Sequence, residues 1–384
     1  MADLLDIVGQ DSAVGLIQRG LVGERRPHAY LFAGPQGVGR RTTAVALART
    51  LLCECPASRP NAGRLAELDD AFELRQACGA CPSCRRMDRD SHGDFHLVYK
   101  ELARYHDDAS VRSRVMQELS IDVIRSFLID PANRRAAGGH GKVFVVRESE
   151  LMSIPAQNCL LKTLEEPPEG VTIVLVCRDA EELLPTTLSR CWLVRFGPLP
   201  RQFVRGRLVA DGVNEAEADF WAAFTDGSLG VSRRLAAQGM YATKRELLDR
   251  LSALATAGNA DLADWLIKLA ERLADEAVAE AKQADGAALS RNLATRRAAG
   301  ALLELIAAAY RDALTLATSA DRPLVNADQR SAAEALAGRL GPLELAEILE
   351  QLSKYEQLLW RNVSPKTVWD NVVITCASAA PLRL

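Results

Sequence analysis

The sequence predicts an α/β domain built around a parallel sheet, followed by a region that is helical throughout. Short, apolar, β-rich runs alternate with helical patterns over residues 1–197. One of these runs leads directly into a glycine-rich loop and then into a helix. After Pro198 and Pro200 the strand patterns stop. Strands that alternate with helices are typical of a parallel sheet with crossover helices.

The bulk properties are those of a globular protein of two or three domains. The chain has 384 residues, of which 48% are hydrophobic and 25% are charged, and its net charge is -3. This weak charge excludes a whole-molecule attraction for nucleic acid, so any DNA contact would need a local basic face. No apolar run reaches the roughly 20 residues that span a bilayer, and residues 1–6 lack the features of a signal peptide. We therefore expect a cytoplasmic protein whose nine cysteines stay reduced and are available to a metal.

Four runs are predicted to be buried strands because each is short, apolar and rich in β-branched or aromatic residues. These runs are residues 29–33, 95–98, 143–146 and 171–176. In the second half of the chain, apolar side chains recur at helical spacing over residues 262–273, 303–314 and 345–359. Residues 278–297, which are rich in alanine and charge, fit either a solvated helix pair or a mobile connection.

A phosphate-binding loop is indicated at residues 34–41, between the first strand and a helical run that starts near Thr43. The glycines Gly34, Gly37 and Gly39 allow the backbone N–H groups to form a nest for phosphate at the start of that helix. A glycine-rich turn without a ligand is the ordinary alternative, but the strand–loop–helix context favours a phosphate loop.

The two residues that such a loop uses on nucleotide and metal are both replaced. Arg40 stands where a lysine reaches the β- and γ-phosphates, and Arg41 stands where a serine or threonine hydroxyl binds Mg²⁺. Arg40 keeps the charge but not the compact ammonium group. Thr42 could supply a hydroxyl only after a one-residue shift in register. The loop is therefore predicted to be degenerate.

A second replacement lies after the strand at residues 143–146, which has the pattern of a Walker B element. Arg147 stands where an acidic residue assists Mg²⁺ binding, and Glu148 keeps the acidic residue associated with activating water. A guanidinium facing a divalent cation is repelled by several kcal/mol at an effective dielectric of about 20. We expect this chain neither to bind ATP usefully nor to hydrolyse it.

Three cysteines have the spacing of a metal site. Cys78, Cys81 and Cys84 form a C-x-x-C-x-x-C run, and a fourth thiol lies upstream at Cys53 or Cys55. Four thiolates suit one structural Zn²⁺ and leave no open position for a substrate. A free thiol cluster, a redox pair and an iron–sulfur cluster are the alternatives. Of the other four cysteines, Cys159, Cys177 and Cys376 are expected to be core residues.

Several segments together resemble the AAA+ subunits of bacterial DNA polymerase III clamp loaders. They are residues 28–35, 158–168, 188–191, 227–230 and, near the end of the chain, 361–366. This resemblance implies an AAA+ α/β domain at residues 1–197 with an inserted zinc module at about 53–84. It also implies a small helical lid domain at 198–242 and a helical collar domain at 243–384. Cys53 matches the family position of the fourth zinc ligand.

The family contains ATP-hydrolysing subunits, gamma and tau, and a non-hydrolysing type, delta-prime. The altered phosphate loop, the altered Walker B element and Gly230, where an active subunit has an arginine, all favour the non-hydrolysing type. The alternative is an active gamma- or tau-like ATPase that uses Arg40 in place of lysine. A stand-alone zinc-dependent nucleic-acid binder is a third class.

The triplet Ser189-Arg190-Cys191 is similar to a family motif at the subunit boundary. Its arginine reaches the ATP site of the adjacent subunit, where a guanidinium stabilises charge on the γ-phosphoryl group. The resemblance implies that Arg190 is an arginine finger acting in trans, whereas a solvated surface charge is the ordinary alternative. Cys191 is expected to be a packing residue and not a nucleophile.

The partners implied by the resemblance are the gamma or tau ATPase subunits and the delta subunit, in a hetero-pentamer. That complex opens the sliding clamp and closes it on primer–template DNA, and it works at the nucleoid-associated replisome. Arg125, Arg134 and Arg135 lie in a region that can face DNA in such complexes. Phosphate contacts need only cationic side chains, so a solvated basic face is an equal alternative.

Overall fold

A computed structural model describes residues 2–23, 26–112, 118–254, 260–285, 290–361 and 363–377. Residues 286–289 and Asn362, which belong to two segments considered above, lie outside the described residues. The chain divides into two compact units. The first comprises Met1–Val204 with Asp226–Val231, and the second comprises Arg205–Thr225 with Ser232–Leu384.

The first unit contains a five-stranded sheet in which every pair of neighbouring strands is parallel. The strand order is β4-β5-β6-β1-β7. A separate antiparallel hairpin is formed by β2 and β3. The strands are β1 (Ala29–Ala33), β2 (Ala57–Pro60), β3 (Glu73–Gln76), β4 (Phe95–Val98), β5 (Lys142–Val146), β6 (Val171–Cys177) and β7 (Trp192–Arg195).

Helices cover both faces of this sheet, which explains why its central strands have no polar face. Every residue of β1, β5 and β6 is buried, as expected for parallel strands between two helical layers. The helices of this part of the chain are α1 (Asp11–Val22), α2 (Arg40–Leu52), α3 (Pro82–Asp88), α4 (Ala109–Arg112), α5 (Ile121–Ile124), α6 (Asp130–Ala132), α7 (Ile154–Glu165) and α8 (Pro185–Leu188). A π-helical turn, Arg125–Ile129, joins α5 to α6.

The predicted fold class is confirmed, and the four predicted strands are β1, β4, β5 and β6. Sequence reasoning missed β7 and the β2–β3 hairpin. The exposed arginines and the proline of these short strands hide the apolar pattern, because an edge strand or a surface hairpin has little surface to bury.

The described part of the chain after residue 200 has no strand and consists of helices. They are α9 (Arg201–Ala210), α10 (Glu215–Phe224), α11 (Leu229–Ala237), α12 (Met240–Ser252), α13 (Ala260–Asp285), α14 (Arg291–Ala317), α15 (Arg330–Arg339), α16 (Pro342–Leu359) and α17 (Pro365–Ala377). In the second unit the long helices α13 and α14 pack on each other, and α14 also packs on α15 and α16. The described residues of 278–297 are therefore mainly helical, as a helix pair requires.

The second unit contains an ion pair whose cation is fully buried and whose carboxylate is partly exposed. Lys244 of α12 is fully buried, and its Nζ donates to both carboxylate oxygens of Asp328 at 2.7 and 2.8 Å. The ammonium also lies 4.3 Å from the ring centroid of Phe220. Within the described residues, no helix is both long and apolar enough to cross a membrane.

Candidate functional site

The glycine-rich loop connects β1 to α2 and has the backbone of a phosphate loop. Gly37 and Gly39 have φ values of 78° and 105°, which side chains rarely adopt. Gly39 is the N-cap of α2, so the helix starts at Arg40, three residues earlier than the sequence pattern indicated. The scaffold that positions a phosphate at a helix N-terminus is therefore present.

Arg40 is buried, with 9% of its surface exposed, and lies among charged groups from two neighbouring strand ends. Burial lowers the pKa of its guanidinium, while Glu150 and Glu148 oppose that shift and Arg178 adds to it. Glu150 follows β5 and Arg178 follows β6, and the Arg178 Nε lies 3.8 Å from the Glu150 Oε1. Carboxylates of the same chain therefore act electrostatically on Arg40.

The side chain of Glu150 is itself largely buried, with 9% of it exposed. Burial raises the pKa of its carboxyl group, and the nearby Arg40 and Arg178 partly offset this rise. Its Oε2 is buried and accepts no hydrogen bond from the described residues. An ionised carboxylate stays in such a place only with cations beside it. Sequence reasoning missed both Glu150 and Arg178, although their position after parallel strands was a usable signal.

The other loop residues offer little to a metal. Arg41 and Thr42 are exposed at the first turn of α2. Thr43 is buried, and its hydroxyl donates to the carbonyl of Gly39 at 3.0 Å within the helix. The Thr43 hydroxyl is therefore already used in a hydrogen bond within its own helix.

Arg147 and Glu148 follow β5 directly. The Arg147 backbone N–H donates to Val98 at 2.8 Å, and its guanidinium lies 5.7 Å from the ring centroid of Tyr99. Glu148 has a left-handed backbone with φ 48°. Glu148 is therefore held in a turn directly after β5, next in the chain to an arginine whose guanidinium lies against Tyr99.

The segment Asp226–Val231 packs on the phosphate loop within the first unit. The hydroxyl of Ser228 donates to the carbonyl of Gln36 at 2.6 Å, and the N–H of Gly230 donates to the carbonyl of Gly37 at 3.0 Å. A Cβ at Gly37 would collide with the Ser228 Oγ. The resemblance motif at residues 227–230 therefore contacts the loop directly.

Arg190 lies just after α8 and is about one-third exposed. Its Nε donates to the Glu165 Oε1 at 2.7 Å, and its Nη2 forms an ion pair with the same oxygen. Its Nη1 donates to the carbonyl of Thr186 at 2.8 Å. Cys191 packs against the core of the sheet domain, and burial raises the pKa of its thiol to about 12. A thiol that stays protonated is a packing group and not a nucleophile.

The structure gathers four of the cysteines into one cluster. The Sγ atoms of Cys53, Cys78, Cys81 and Cys84 all lie within 4.8 Å of one another. The Cys53 Sγ is 3.9 Å from that of Cys81 and 3.7 Å from that of Cys84. Tetrahedral zinc with Zn–S bonds of about 2.3 Å requires sulfur atoms about 3.8 Å apart. The spacing of the cluster therefore fits a zinc ion.

Backbone N–H groups also point at these sulfurs, as thiolate ligands require. Cys78 N donates to the Cys53 Sγ at 3.3 Å, Cys81 N to the Cys78 Sγ at 3.3 Å, and Cys84 N to the Cys81 Sγ at 3.4 Å. Hydrogen bonds from the backbone N–H of Ala80 and Cys81 lower the pKa of Cys78 to about 6. Zinc bound here would tie the end of α2 to the start of α3.

The cluster is anchored to α2 by polar contacts. Arg49 of α2, whose side chain is 8% exposed, pairs with Asp88 of α3 at 3.0 Å. The Ser83 hydroxyl donates to the carbonyl of Leu52 at 2.6 Å. Cys55 lies outside the four-thiol cluster and is exposed, so the geometry brings Cys53 and not Cys55 into the metal-like arrangement.

The remaining candidate residues are scattered. Arg125 lies in the π-helical turn, and Arg134 and Arg135 lie just after α6; all three are exposed. Ser189 is exposed beside Arg190. Cys177 and Cys376 are buried, and Cys159 is partly buried against the sheet core.

The parallel sheet and the glycine-rich loop between β1 and α2 define an α/β domain of the P-loop type. A family model described as DNA polymerase III, delta subunit, matches residues 9–200, and one described as DNA polymerase III, delta subunit, C terminal, matches residues 268–365. The chain therefore belongs to the DNA polymerase III delta subunit family of replication proteins.

Curated relatives agree with this assignment. The chain is 27% identical to DNA polymerase III subunit delta′ of Bacillus subtilis over 217 residues, which cover 56% of both chains. It is 29% identical to subunit delta′ of Pseudomonas aeruginosa over 59% of this chain and 61% of that one. It is 31% identical to subunit tau of Escherichia coli over 53% of this chain and 27% of that one. The chain thus spans less than two thirds of the length of each of these relatives.

A solved structure, a DNA polymerase III gamma subunit-related protein from Thermotoga maritima, is 17% identical with a TM-score of 0.39, covering 95% of this chain and 98% of that one.

Proposed function

We propose that this chain is a delta-prime-type subunit of a clamp loader, one that does not hydrolyse ATP. In this role it organises the complex and supplies Arg190 to the ATP site of a neighbouring subunit. The observation on which the proposal rests is the placement of Arg40, Arg41 and Arg147 at the positions that bind phosphate and Mg²⁺. Each replacement removes a different ligand function.

The charges around Arg40 support the absence of nucleotide. Glu148 and Glu150 lie near enough to raise the pKa of the Arg40 guanidinium that would have to attract phosphate, so the chain's own carboxylates compete with the ligand. The first test is Mg·ATP binding by the isolated chain, measured by calorimetry. No detectable binding is expected, whereas micromolar affinity would favour the active gamma- or tau-like alternative.

The position of Arg190 supports a role in trans. Its side chain is partly exposed and is held by one exposed carboxylate, one backbone carbonyl and the Ser189 hydroxyl, so a partner's phosphate can compete for it. An arginine finger contributes on the order of 10³- to 10⁵-fold to phosphoryl transfer.

The matching test is Arg190→Ala in a complex reconstituted with gamma or tau and delta subunits. We expect hydrolysis at the neighbouring site to fall by about 10³-fold or more, with assembly unchanged by size-exclusion chromatography. Arg207→Ala, which removes an exposed arginine of α9, is the control. Unchanged DNA-stimulated ATPase in the Arg190 variant would contradict the proposal.

We further propose the domain division implied by the resemblance, with an AAA+ domain at 1–197, a lid at 198–242 and a collar at 243–384. The cysteine cluster is proposed to hold one structural Zn²⁺ through Cys53, Cys78, Cys81 and Cys84. The proposed partners are the gamma or tau subunits, the delta subunit, the sliding clamp and primer–template DNA. Affinity purification of the tagged chain tests them, and recovery without any AAA+ partner would favour a stand-alone nucleic-acid binder.

A further inference from the structure

Cys55 is a fifth thiol beside the proposed zinc site and has no place in a four-ligand shell. It lies in the turn after α2, two residues beyond Cys53, and it is exposed. Its Sγ donates to the Cys78 Sγ at 3.4 Å. Structural zinc is almost always four-coordinate, so the fifth thiol stays uncoordinated while touching a ligand.

Cys78 is also the ligand that solvent reaches. Cys53, Cys81 and Cys84 are buried, whereas Cys78 is partly exposed. Susceptibility of cysteine to oxidation follows thiolate character and exposure. Cys78, the solvent-accessible member of the cluster, is therefore also the member that contacts the Cys55 thiol.

We infer that Cys55 and Cys78 form a peroxide-sensitive thiol pair whose oxidation to a disulfide withdraws Cys78 from the metal and releases zinc. The inference rests on the proposed zinc site and adds to it a modification site and a co-reactant, a hydroperoxide. No role in the clamp loader is needed for the chemistry.

The reaction balances in two steps. In the first, the Cys78 thiolate attacks hydrogen peroxide; an S–O bond forms, the O–O bond breaks and hydroxide leaves, giving a sulfenic acid. In the second, the Cys55 Sγ attacks the Cys78 Sγ; the S–S bond forms, the S–O bond breaks and the departing hydroxide takes the Cys55 proton as water. One thiol, one thiolate and one peroxide thus become one disulfide, one water and one hydroxide.

The geometry makes this pair the favoured one. A disulfide has an S–S length of about 2.05 Å, so the 3.4 Å contact has to close by little more than one ångström. A disulfide sulfur is neutral and no longer a thiolate ligand. Three thiolates would remain, and the closed tetrahedral site would be opened.

The test uses the purified full chain, isolated in reducing buffer with zinc and then freed of reductant. Hydrogen peroxide is added, zinc release is followed with a chelating dye, and the disulfide is mapped by peptide mass spectrometry. We expect stoichiometric zinc release together with a Cys55–Cys78 disulfide, and recovery of the site with dithiothreitol and zinc.

Cys55→Ser is the decisive variant, because Cys55 is exposed and outside the cluster. It should retain zinc and release it at least about tenfold more slowly under peroxide, since the neighbouring thiol is lost. Cys159→Ser, which removes a partly buried thiol of α7, should behave as the unmodified chain.

If the Cys55→Ser variant released zinc as fast as the unmodified chain, or if the disulfide excluded Cys55, the inference would be overturned while the proposed zinc site would stand. Failure of that variant to hold zinc would make Cys55 a ligand and overturn it as well. Absence of zinc from the untreated chain would instead overturn the metal site on which the inference rests.

Discussion

Glu150 and Arg178 face each other at the carboxyl edge of the sheet, with 3.8 Å between the Glu150 Oε1 and the Arg178 Nε. Both lie near Arg40, the residue that replaces the phosphate-binding lysine. Since β5, β6 and β1 are adjacent and parallel, the residues after each strand meet at one edge. This chain therefore places an internal carboxylate near the glycine-rich loop, at the edge of the sheet where α/β folds commonly bind ligands.

Removing that carboxylate should make the loop more attractive to anions. For Glu150→Gln we expect the affinity for Mg²⁺-free pyrophosphate to rise by at least about tenfold at mildly alkaline pH, because a negative charge beside Arg40 is lost. Isothermal titration calorimetry measures the change, with the exposed Glu182→Gln as control. Equal affinities in the two variants would mean that Glu150 does not oppose anion binding.

Breaking the pair between Arg190 and Glu165 should have little effect on folding. Both side chains are substantially exposed, at 32% and 48%, and exposed ion pairs contribute about 0–1 kcal/mol. Arg190→Ala and Glu165→Gln should each change the free energy of unfolding by less than about 1 kcal/mol in urea titrations. A larger loss would indicate that Arg190 has a structural role.

The cysteine cluster should depend on each buried thiol. Cys84 is fully buried within it, so Cys84→Ser should abolish stoichiometric zinc and make the segment between α2 and α3 sensitive to protease. Atomic emission and limited proteolysis report the two effects. Cys159→Ser is the matched control, and zinc retained by the Cys84 variant would argue against the proposed ligand set.

Acid should destabilise the sheet domain through His96. Burial lowers the pKa of this histidine below its ordinary 6.5; its ring stacks on Phe144 at 4.7 Å, and its buried Nε2 has no hydrogen-bond partner within the described residues. The unfolded chain takes up the proton more readily. The stability that the neutral ring contributes is therefore present above pH 6.5 and lost as pH falls through the lower folded pKa.

His96→Phe keeps the stacked ring and removes this titration. Its free energy of unfolding should fall less steeply than that of the unmodified chain between neutral and mildly acidic pH. Urea titrations across that range measure the difference, and His140→Gln reports the effect of removing an exposed histidine. If the free energy of unfolding of the unmodified chain and of the His96→Phe variant fell equally with pH, the acid sensitivity would come from other groups.

The Lys244–Asp328 pair of the second unit should be costly to break. Asp328→Asn leaves the fully buried ammonium without its carboxylate counter-ion, and because the Asp328 side chain is itself 18% exposed, the loss should approach but not exceed the roughly 3–5 kcal/mol of a fully buried pair. Calorimetric unfolding measures it, and Glu246→Gln, which removes an exposed partner of Arg250, is the control. Comparable effects of the two changes would show that burial does not strengthen the Lys244 pair.

Much of the fold could be predicted because its signals are local. The apolar runs of β1, β5 and β6 are buried on both faces, so their sequence is apolar throughout. The short edge strand β7 and the β2–β3 hairpin were missed because they have no such continuous pattern. The helical second half followed from the recurrence of apolar side chains at helical spacing.

The sequence by itself determined which residues stand at the phosphate-loop and Walker B positions and which thiols are available. Arg40, Arg41 and Arg147 could be recognised because phosphate-loop and Walker B residues occur at set distances along the chain. The C-x-x-C-x-x-C spacing identified three members of the cysteine cluster in the same way. The family resemblance already favoured Cys53 over Cys55 as the fourth thiol, and the tertiary structure brings the Cys53 Sγ among the other three. Only the tertiary structure placed Glu150 beside Arg178 and near Arg40. The physical reason is that these neighbours come from turns and strand ends far apart in the chain, which only the packing of the sheet and its helices brings together.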